Sequence, residues 1–280
     1  MAVEVARIWP FDDCFAVSAS ASLTFGLRRG HRRVAFKAYG TVYPAANLEE
    51  VRAVHRSLYE EGFPSPEPLL GPVPLGRTGA VVDAWVDDGE FRDLHEPRLR
   101  RLWAARLAEL VALASRHVDV ALPRLYAGLW DRPHNPRFDF ARADGRWIDE
   151  AAAGVREIVY GPVADWVVGH CDWNAQHVRW RGDEVAVVYD WDSVVRDSEA
   201  NLVGFASAVF PATWELDVPK APSAAEAEAF VAEYEEAAGR ALDRSRVAAA
   251  RTFLAAYVAR CELSDLDGEG DFGGLLRQLL

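Results

Sequence analysis

Apolar segments in the first third of the chain are short, which favours strands over long helices. Residues 14–17, 23–27 and 32–39 are apolar-rich runs of strand length with turn residues between them. Residues 80–86 form a further apolar run, and Asp87-Asp88-Gly89 ends it. This pattern predicts a small antiparallel sheet near the N-terminus.

Longer segments with helical spacing occupy much of the remaining chain. We predict a helix over residues 47–61, because Asn47 can cap it and Glu50, three residues on, can close a capping box. Leucines and Trp103 recur at helical spacing between residues 97 and 116. Two more helices are expected over 223–237, opened by a second capping box, and over 244–261.

Two aspartates flank a predicted hairpin in the middle of the chain. A strand-like run over 167–169 precedes Asp172, and a second strand over 185–189, after a turn at 181–183, leads to Asp190. Carboxylates placed at both ends of a hairpin can do different work. One can accept a proton from an attacking hydroxyl, and the other can hold Mg²⁺ against phosphate oxygens.

Composition excludes several classes of protein. The 280 residues are 50% hydrophobic with a net charge of −12, which disfavours a nucleic-acid binder and suits a cationic small-molecule partner. No apolar run approaches membrane-spanning length, and the N-terminus does not resemble a signal peptide. The three cysteines are scattered, without disulfide or metal spacing. We therefore expect a cytoplasmic protein that binds neither membrane nor nucleic acid.

The lysine content is unusual. Of 31 lysine and arginine residues only two are lysines, Lys37 and Lys220, so the other 29 are arginines. A lysine that persists in such a background suggests a need for a compact ammonium that arginine cannot imitate. Lys37 lies in a strand-like Val-Ala-Phe-Lys segment, which is similar to the strand motif whose lysine holds the α- and β-phosphates of ATP.

The segment around the hairpin resembles a known catalytic centre. His170, Asp172 and the Asp190-Trp191-Asp192-Ser193 run resemble the H-x-D-x-x-x-x-N and D-W-D-S motifs of the aminoglycoside phosphotransferase and choline kinase family, in a branch found in high-GC bacteria. The resemblance implies an α+β, two-lobed protein-kinase-like fold. It places an N-lobe with an antiparallel sheet at residues 1–85 and a mainly helical C-lobe at 86–280.

The same resemblance implies roles for the acidic residues. Asp172 would be the catalytic base and Asp190 a ligand of Mg²⁺ or Mn²⁺. Asp192 is either a second carboxylate on the metal side or a solvated turn residue. The chain departs from the family at position 177, where His177 replaces an asparagine metal ligand. Because Mg²⁺ prefers oxygen, His177 could bind through water, favour Mn²⁺, or mark a weakened site.

The resemblance also implies a nucleotide site between the lobes. Lys37 would hold phosphates and pair with Glu50, with Glu49 as the alternative. A loop with no glycine would cover the phosphates, and a hinge strand would meet the purine edge. The residues implied for the covering loop and the hinge are Ser18, Ser20, Ser22, Asp83, Trp85 and Val86.

The function implied is transfer of the γ-phosphoryl group of ATP or GTP to a hydroxyl of a small molecule, such as an aminoglycoside-like antibiotic or an amino alcohol. An alternative is a nucleotide- or ligand-binding pseudokinase whose metal site is weakened by His177. A hydrolase using Cys171 or His170 lacks a convincing set of partners. The sequence identifies neither the acceptor nor the oligomeric state.

Overall fold

The computed structural model of the chain describes most of its residues. The described ranges are 2–19, 22–39, 45–76, 78–124, 130, 133–135, 137–141, 144–265 and 270–280. Ser20, implied as part of the phosphate-covering loop, lies outside these residues.

The N-terminal part is a five-stranded antiparallel sheet with one helix before its first strand and another between its third and fourth strands. The sheet has the order β1-β2-β3-β5-β4. Its elements are α1 (Ala2–Ile8), β1 (Asp13–Ala19), β2 (Ser22–Arg29), β3 (Arg32–Tyr39), α2 (Ala45–Glu60), β4 (Pro68–Leu75) and β5 (Thr78–Ala84). The sheet predicted from the apolar runs is therefore confirmed.

Alternation along β3 determines where Lys37 points. Val34, Phe36 and Ala38 are buried in the core of this lobe, which α1 covers through Val5. Successive side chains of a strand point to opposite faces of the sheet. Lys37 therefore faces away from that core, towards the C-terminal part of the chain.

The C-terminal part is mainly helical and carries two small two-stranded sheets. Within the described residues, no helix is both long enough and apolar enough to cross a membrane. Its elements are α3 (Pro97–Ala114), α4 (Arg146–Tyr160), β6 (Trp166–His170), β7 (Val178–Arg181), β8 (Glu184–Val188), β9 (Val194–Ser198), α5 (Glu199–Val209), α6 (Ala224–Ala238), α7 (Arg244–Asp265) and α8 (Asp271–Leu279).

The hairpin predicted around Gly182 is confirmed. Strands β7 and β8 pair antiparallel across a two-residue turn in which Gly182 has a φ of 60°. Strand β9, which the sequence did not predict, pairs with β6. The strand before the β7–β8 hairpin and the strand after it therefore belong to one two-stranded sheet. This pairing brings the loop after β6 next to the segment after β8.

Other local predictions divide into confirmed and wrong. The capping box at Ser223 and Glu226 is present, and Gly239 ends α6 in a left-handed conformation. The expected Asn47 cap is wrong, because α2 begins at Ala45 and places Asn47 inside the helix. Helices α4 and α8 were not predicted.

A stack of two tryptophans lies at the centre of the C-terminal lobe. The rings of Trp103 on α3 and Trp173, in the loop after β6, are 3.8 Å apart between centroids and nearly parallel. Both side chains are fully buried. The indole N–H of Trp173 donates to the Trp103 carbonyl at 3.3 Å. The loop that carries Asp172 is thus anchored to the buried core of this lobe.

Substitution Trp173→Ala is expected to lower the free energy of unfolding by about 3–5 kcal/mol, since it removes a buried stacked ring. Urea denaturation monitored by circular dichroism measures this loss. Leu102→Ala on the neighbouring α3 is the control, because that side chain is 37% exposed. It should cost less than about 1 kcal/mol. Equal losses in the two variants would contradict the anchoring role.

Candidate active site

A cavity of about 660 Å³ separates the sheet from the helical lobe. Lys37 and Ser22 line it from the sheet side, and Asp172, His177 and Asp190 line it from the C-terminal side. The residues that the sequence singled out on β3 and around the hairpin are therefore brought together in one space.

Asp172 is held in the loop after β6 by two side chains of its own loop. The Asn174 amide donates to Asp172 Oδ1 at 2.6 Å, and Asp172 Oδ2 lies 2.9 Å from His177 Nε2. Burial would raise the pKa of Asp172, but the charge and hydrogen bond of His177 outweigh it and lower that pKa. The carboxylate is therefore ionised at neutral pH.

His177 is a cation in this arrangement. Burial would lower the pKa of its imidazole, but the charges of Asp190 and Asp172 raise that pKa to about 9. His177 Nε2 lies 4.0 Å from Asp190 Oδ2, so the imidazolium is shared between two carboxylates. Its hydrogen bond with Asp172 makes the ring an N–H donor rather than a free acceptor.

His170 anchors the start of the same loop. Its Nδ1 accepts the backbone N–H of Asp172 at 3.2 Å, and its Nε2 donates to the Tyr189 carbonyl at 3.1 Å. This pairing uses one acceptor and one donor, as in neutral imidazole. Burial lowers the pKa of His170 to about 4, in agreement with that tautomer. His170 thus ties the Asp172 loop to the end of β8.

Lys37 bridges the two aspartates that follow β8. Its Nζ lies 2.5 Å from Asp190 Oδ1 and also contacts Asp192 Oδ1. Burial would lower the pKa of Lys37, but the two carboxylates raise it well above its usual value. This salt bridge joins β3 of the first lobe to the segment after β8 in the second.

The two aspartates differ in their surroundings. Burial would raise the pKa of Asp190, but Lys37 and His177 hold that pKa well below its usual value. Burial and the neighbouring charge of Asp190 raise the pKa of Asp192 to about 6. Asp190 has a φ of 64°. Among the described residues, no other residue except glycine has a positive φ. This strained conformation aims its carboxylate at the cavity.

The donor set fits a hard divalent cation only in part. Ligand atoms of Asp172, His177 and Asp190 lie within 4.8 Å of one another. Carboxylate oxygens are the ligands that Mg²⁺ prefers, so Asp190 and Asp192 suit it. His177 Nε2 is engaged with Asp172, so the ring would have to give up that hydrogen bond and its proton before it could ligate the ion. The oxygen donors need no such change.

Residues implied for phosphate binding are only partly gathered at the cavity. Ser22 is buried at its wall, whereas Ser18 is an exposed residue of β1. The expected Lys37–Glu50 ion pair is wrong for this structure, because the lysine charge is neutralised by Asp190 and Asp192. Glu50 Oε2 is instead buried with no hydrogen-bond partner among the described residues, and Glu49 is exposed.

Backbone groups of the implied hinge are largely used within the protein. Asp83 lies inside β5, and its carboxylate pairs with Arg52 of α2. The Trp85 N–H donates to a carbonyl of β3 at 3.1 Å, and the Val86 carbonyl accepts the Tyr189 hydroxyl at 2.7 Å. A purine edge would therefore have to find other partners or displace these.

The far end of the cavity was not among the site residues that the sequence singled out. Its lining comes from the loop before α4, the segment after α5, α7 and the start of α8. Neither spacing nor motif links these segments, and only the tertiary fold brings them together. The residues are His134, Arg137, Phe138, Val209, Ala212, Trp214, Lys220, Leu254, Tyr257, Val258, Cys261, Glu262, Asp265, Gly270, Asp271 and Phe272.

Comparison with known proteins identifies the fold. No protein-family model matches the chain, and no curated protein matches it significantly. Solved structures do match along nearly the whole length. A microcompartment-associated aminopropanol kinase is 13% identical with a TM-score of 0.66, and the match covers 99% of this chain and 93% of that one.

Two other matches point the same way. A choline/ethanolamine kinase family protein from Mesorhizobium loti is 16% identical with a TM-score of 0.58, covering 99% of this chain and 90% of that one. The aminoglycoside phosphotransferase APH(4)-Ia, in a ternary complex with ADP and hygromycin B, is 14% identical with a TM-score of 0.59, covering 100% and 97%. The chain has the protein-kinase-like fold shared by these kinases, so the predicted fold class is confirmed.

The charge on His177 predicts a pH-dependent stability. Its folded pKa of about 9 exceeds the unfolded value of 6.5, so the stabilisation is complete below pH 6.5 and disappears as pH rises through 9. The loss should be on the order of 3 kcal/mol. Urea unfolding at pH 6 and pH 9.5, with chelator present, measures it. His177→Asn should show little of this loss; an unchanged loss in that variant would assign the effect to another group.

Proposed function

We propose that this protein is a phosphotransferase that moves the γ-phosphoryl group of a nucleoside triphosphate to a hydroxyl of a small molecule. The observation that carries the proposal is the convergence of Asp172, Asp190 and Lys37, from both lobes, on one cavity. The fold is one that solved aminoglycoside, aminopropanol and choline/ethanolamine kinases also have. Some of these have been solved with ADP or AMP-PNP, which supports a nucleotide co-substrate.

Each residue has a chemical role in this proposal. Asp172 is ionised and accepts a hydrogen bond from the acceptor hydroxyl, which it orients and deprotonates as the new bond to phosphorus forms. Lys37 supplies a compact positive charge to the phosphates. Such catalysis consists mostly of positioning and charge neutralisation. The neutral His170 keeps the Asp172 loop in place by its two hydrogen bonds.

A divalent cation would be held by Asp190 and Asp192. It would neutralise the phosphate charge, and Mg²⁺ suits these oxygen donors. Lys37 now occupies both carboxylates, so it must give up at least part of this contact when the aspartates bind metal. Glu50 has an uncommitted carboxylate oxygen and is the acid we expect to receive the lysine. The choice between ATP and GTP has no basis in the described contacts.

An amino group on the acceptor is favoured by the far end of the cavity. Glu262, Asp265 and Asp271 lie there with Arg137 and Lys220, which leaves one carboxylate in excess. Asp265 is already paired with Arg137 at 3.3 Å. Burial raises the pKa of Glu262 to about 7, and a bound ammonium would draw it to the ionised form. We therefore propose an amine-bearing alcohol as acceptor. We also propose, separately from these charges, that the protein is cytoplasmic.

Binding of the nucleotide and metal is tested by thermal shift. ATP with Mg²⁺ should raise the melting temperature of the wild type more than ATP with chelator does, since a ligand bound only to the native state stabilises it. Asp190→Asn should lose this metal-dependent part. Asp87→Asn is the matched control, because Asp87 is exposed and pairs with Arg33. A wild-type shift that is independent of metal would contradict the proposed phosphate–metal site.

Removal of the base separates binding from chemistry. Asp172→Asn should keep the Mg²⁺-dependent ATP shift but lower phosphoryl transfer by two to four orders of magnitude, within the range of general-base effects. Transfer to water, followed as slow ATP hydrolysis, gives a readout before the acceptor is known. Turnover near the wild-type level in Asp172→Asn would refute the assignment of the base.

A nucleotide- or ligand-binding pseudokinase is the second candidate. The occupied hinge groups and the imidazolium at position 177 favour it, because both reduce the polar atoms available to nucleotide and metal. It predicts a thermal shift that needs no metal, or none at all. His177→Asn should then gain a metal-dependent shift that the wild type lacks.

A further inference from the structure

A tryptophan stands exposed at the edge of the cavity. The Trp214 side chain is 66% exposed, although it belongs to the cavity lining. Trp173 and Trp191, whose neighbours in sequence line the cavity, are buried and are not part of its lining. Water contact is unfavourable for an indole ring, so a large exposed ring beside a concave site points to a ligand that covers it.

The segment carrying this indole is fixed to the Asp172 loop by one side chain. Gln176 Oε1 accepts the Trp214 backbone N–H at 2.9 Å and the Thr213 hydroxyl at 3.1 Å. The backbone N–H of Gln176 donates to the Ala212 carbonyl at 2.9 Å. Gln176 lies four positions after Asp172, so these bonds fix the backbone that carries the indole relative to Asp172.

The cavity lining that includes Trp214 also carries apolar side chains, beside the charged residues of its far end. The apolar side chains offer no hydrogen-bonding group to a hydroxyl or an amine. Hydroxyls placed against them would lose water without replacement partners, which is unfavourable. The apolar members are Phe138, Val209, Ala212, Leu254, Val258 and Phe272.

We propose that Trp214 binds the acceptor by ring contact, and that the acceptor carries an apolar or aromatic ring besides its hydroxyl and amine. The inference rests on the proposed function, because it takes the cavity as the acceptor site. Among amine-bearing alcohols, the inference selects those that also carry an apolar or aromatic ring. Gln176 is a positioning residue, since it acts through the segment that carries the indole.

Two amino alcohols of the same chemistry test the ring contact. Phenylalaninol and serinol both carry a primary hydroxyl and an amine, but only phenylalaninol has a ring. Titration calorimetry on the full chain should show phenylalaninol binding about tenfold or more tightly than serinol, from ring burial and stacking. Trp214→Ala should remove this preference, and Trp214→Phe should keep most of it.

Matched variants exclude a general loss of structure. Leu102→Ala removes a part-exposed apolar side chain of α3 outside the cavity lining and should leave the preference unchanged. Gln176→Ala should weaken the preference, because it removes the acceptor oxygen for Trp214 and Thr213. Equal affinities for the two alcohols in wild type, or a preference that survives in Trp214→Ala, would overturn the proposal.

Calorimetry separates this inference from the proposed function. Acceptor affinity is measured without nucleotide, whereas the phosphate–metal site is measured by the ATP thermal shift. A ring preference with no metal-dependent ATP shift would retain Trp214 as a ligand-binding residue and reject phosphoryl transfer. A metal-dependent ATP shift without a preference for the ring-bearing alcohol would retain the phosphate–metal site and reject Trp214 as a ligand-binding residue.

Discussion

The salt bridge from Lys37 to Asp190 and Asp192 joins the two lobes at the point where chemistry is expected. Three charges are buried together, and burial of an unpaired charge is strongly unfavourable. Each member is therefore ionised or protonated according to its neighbours, as the opposite pKa shifts of Asp190 and Asp192 show. This cluster holds the sheet over the hairpin, together with the hydrogen bond from the Tyr189 hydroxyl to the Val86 carbonyl.

Strand alternation and loop anchoring bring these charges into place. The burial of Val34, Phe36 and Ala38 turns Lys37 towards the second lobe. On the other side, the stacked Trp103 and Trp173 fix the loop that carries Asp172, the proposed base. The packing of apolar residues has no chemical specificity of its own, but it fixes the positions of the polar side chains that line the cavity.

The sequence predicted the parts of this arrangement that depend on local pattern. The apolar runs indicated the sheet, and the motif around Asp172 indicated the hairpin and the fold. The Lys37–Glu50 pair failed because the choice of partner for a buried lysine depends on tertiary distances that no spacing encodes. Trp214 was missed for the same reason, since only the fold carries residues 212–215 to Gln176.

The distribution of lysines has a consequence for labelling chemistry. Lys37 and Lys220 are the only lysines in the chain, and both line the same cavity. Their side chains are thus the only primary amines that side chains offer to acylating reagents, and guanidinium groups do not compete. Lys37 is held protonated by its aspartates, which suppresses its nucleophilicity. Of the two lysines, an amine-reactive probe is therefore directed to Lys220, at the end of the cavity away from Lys37.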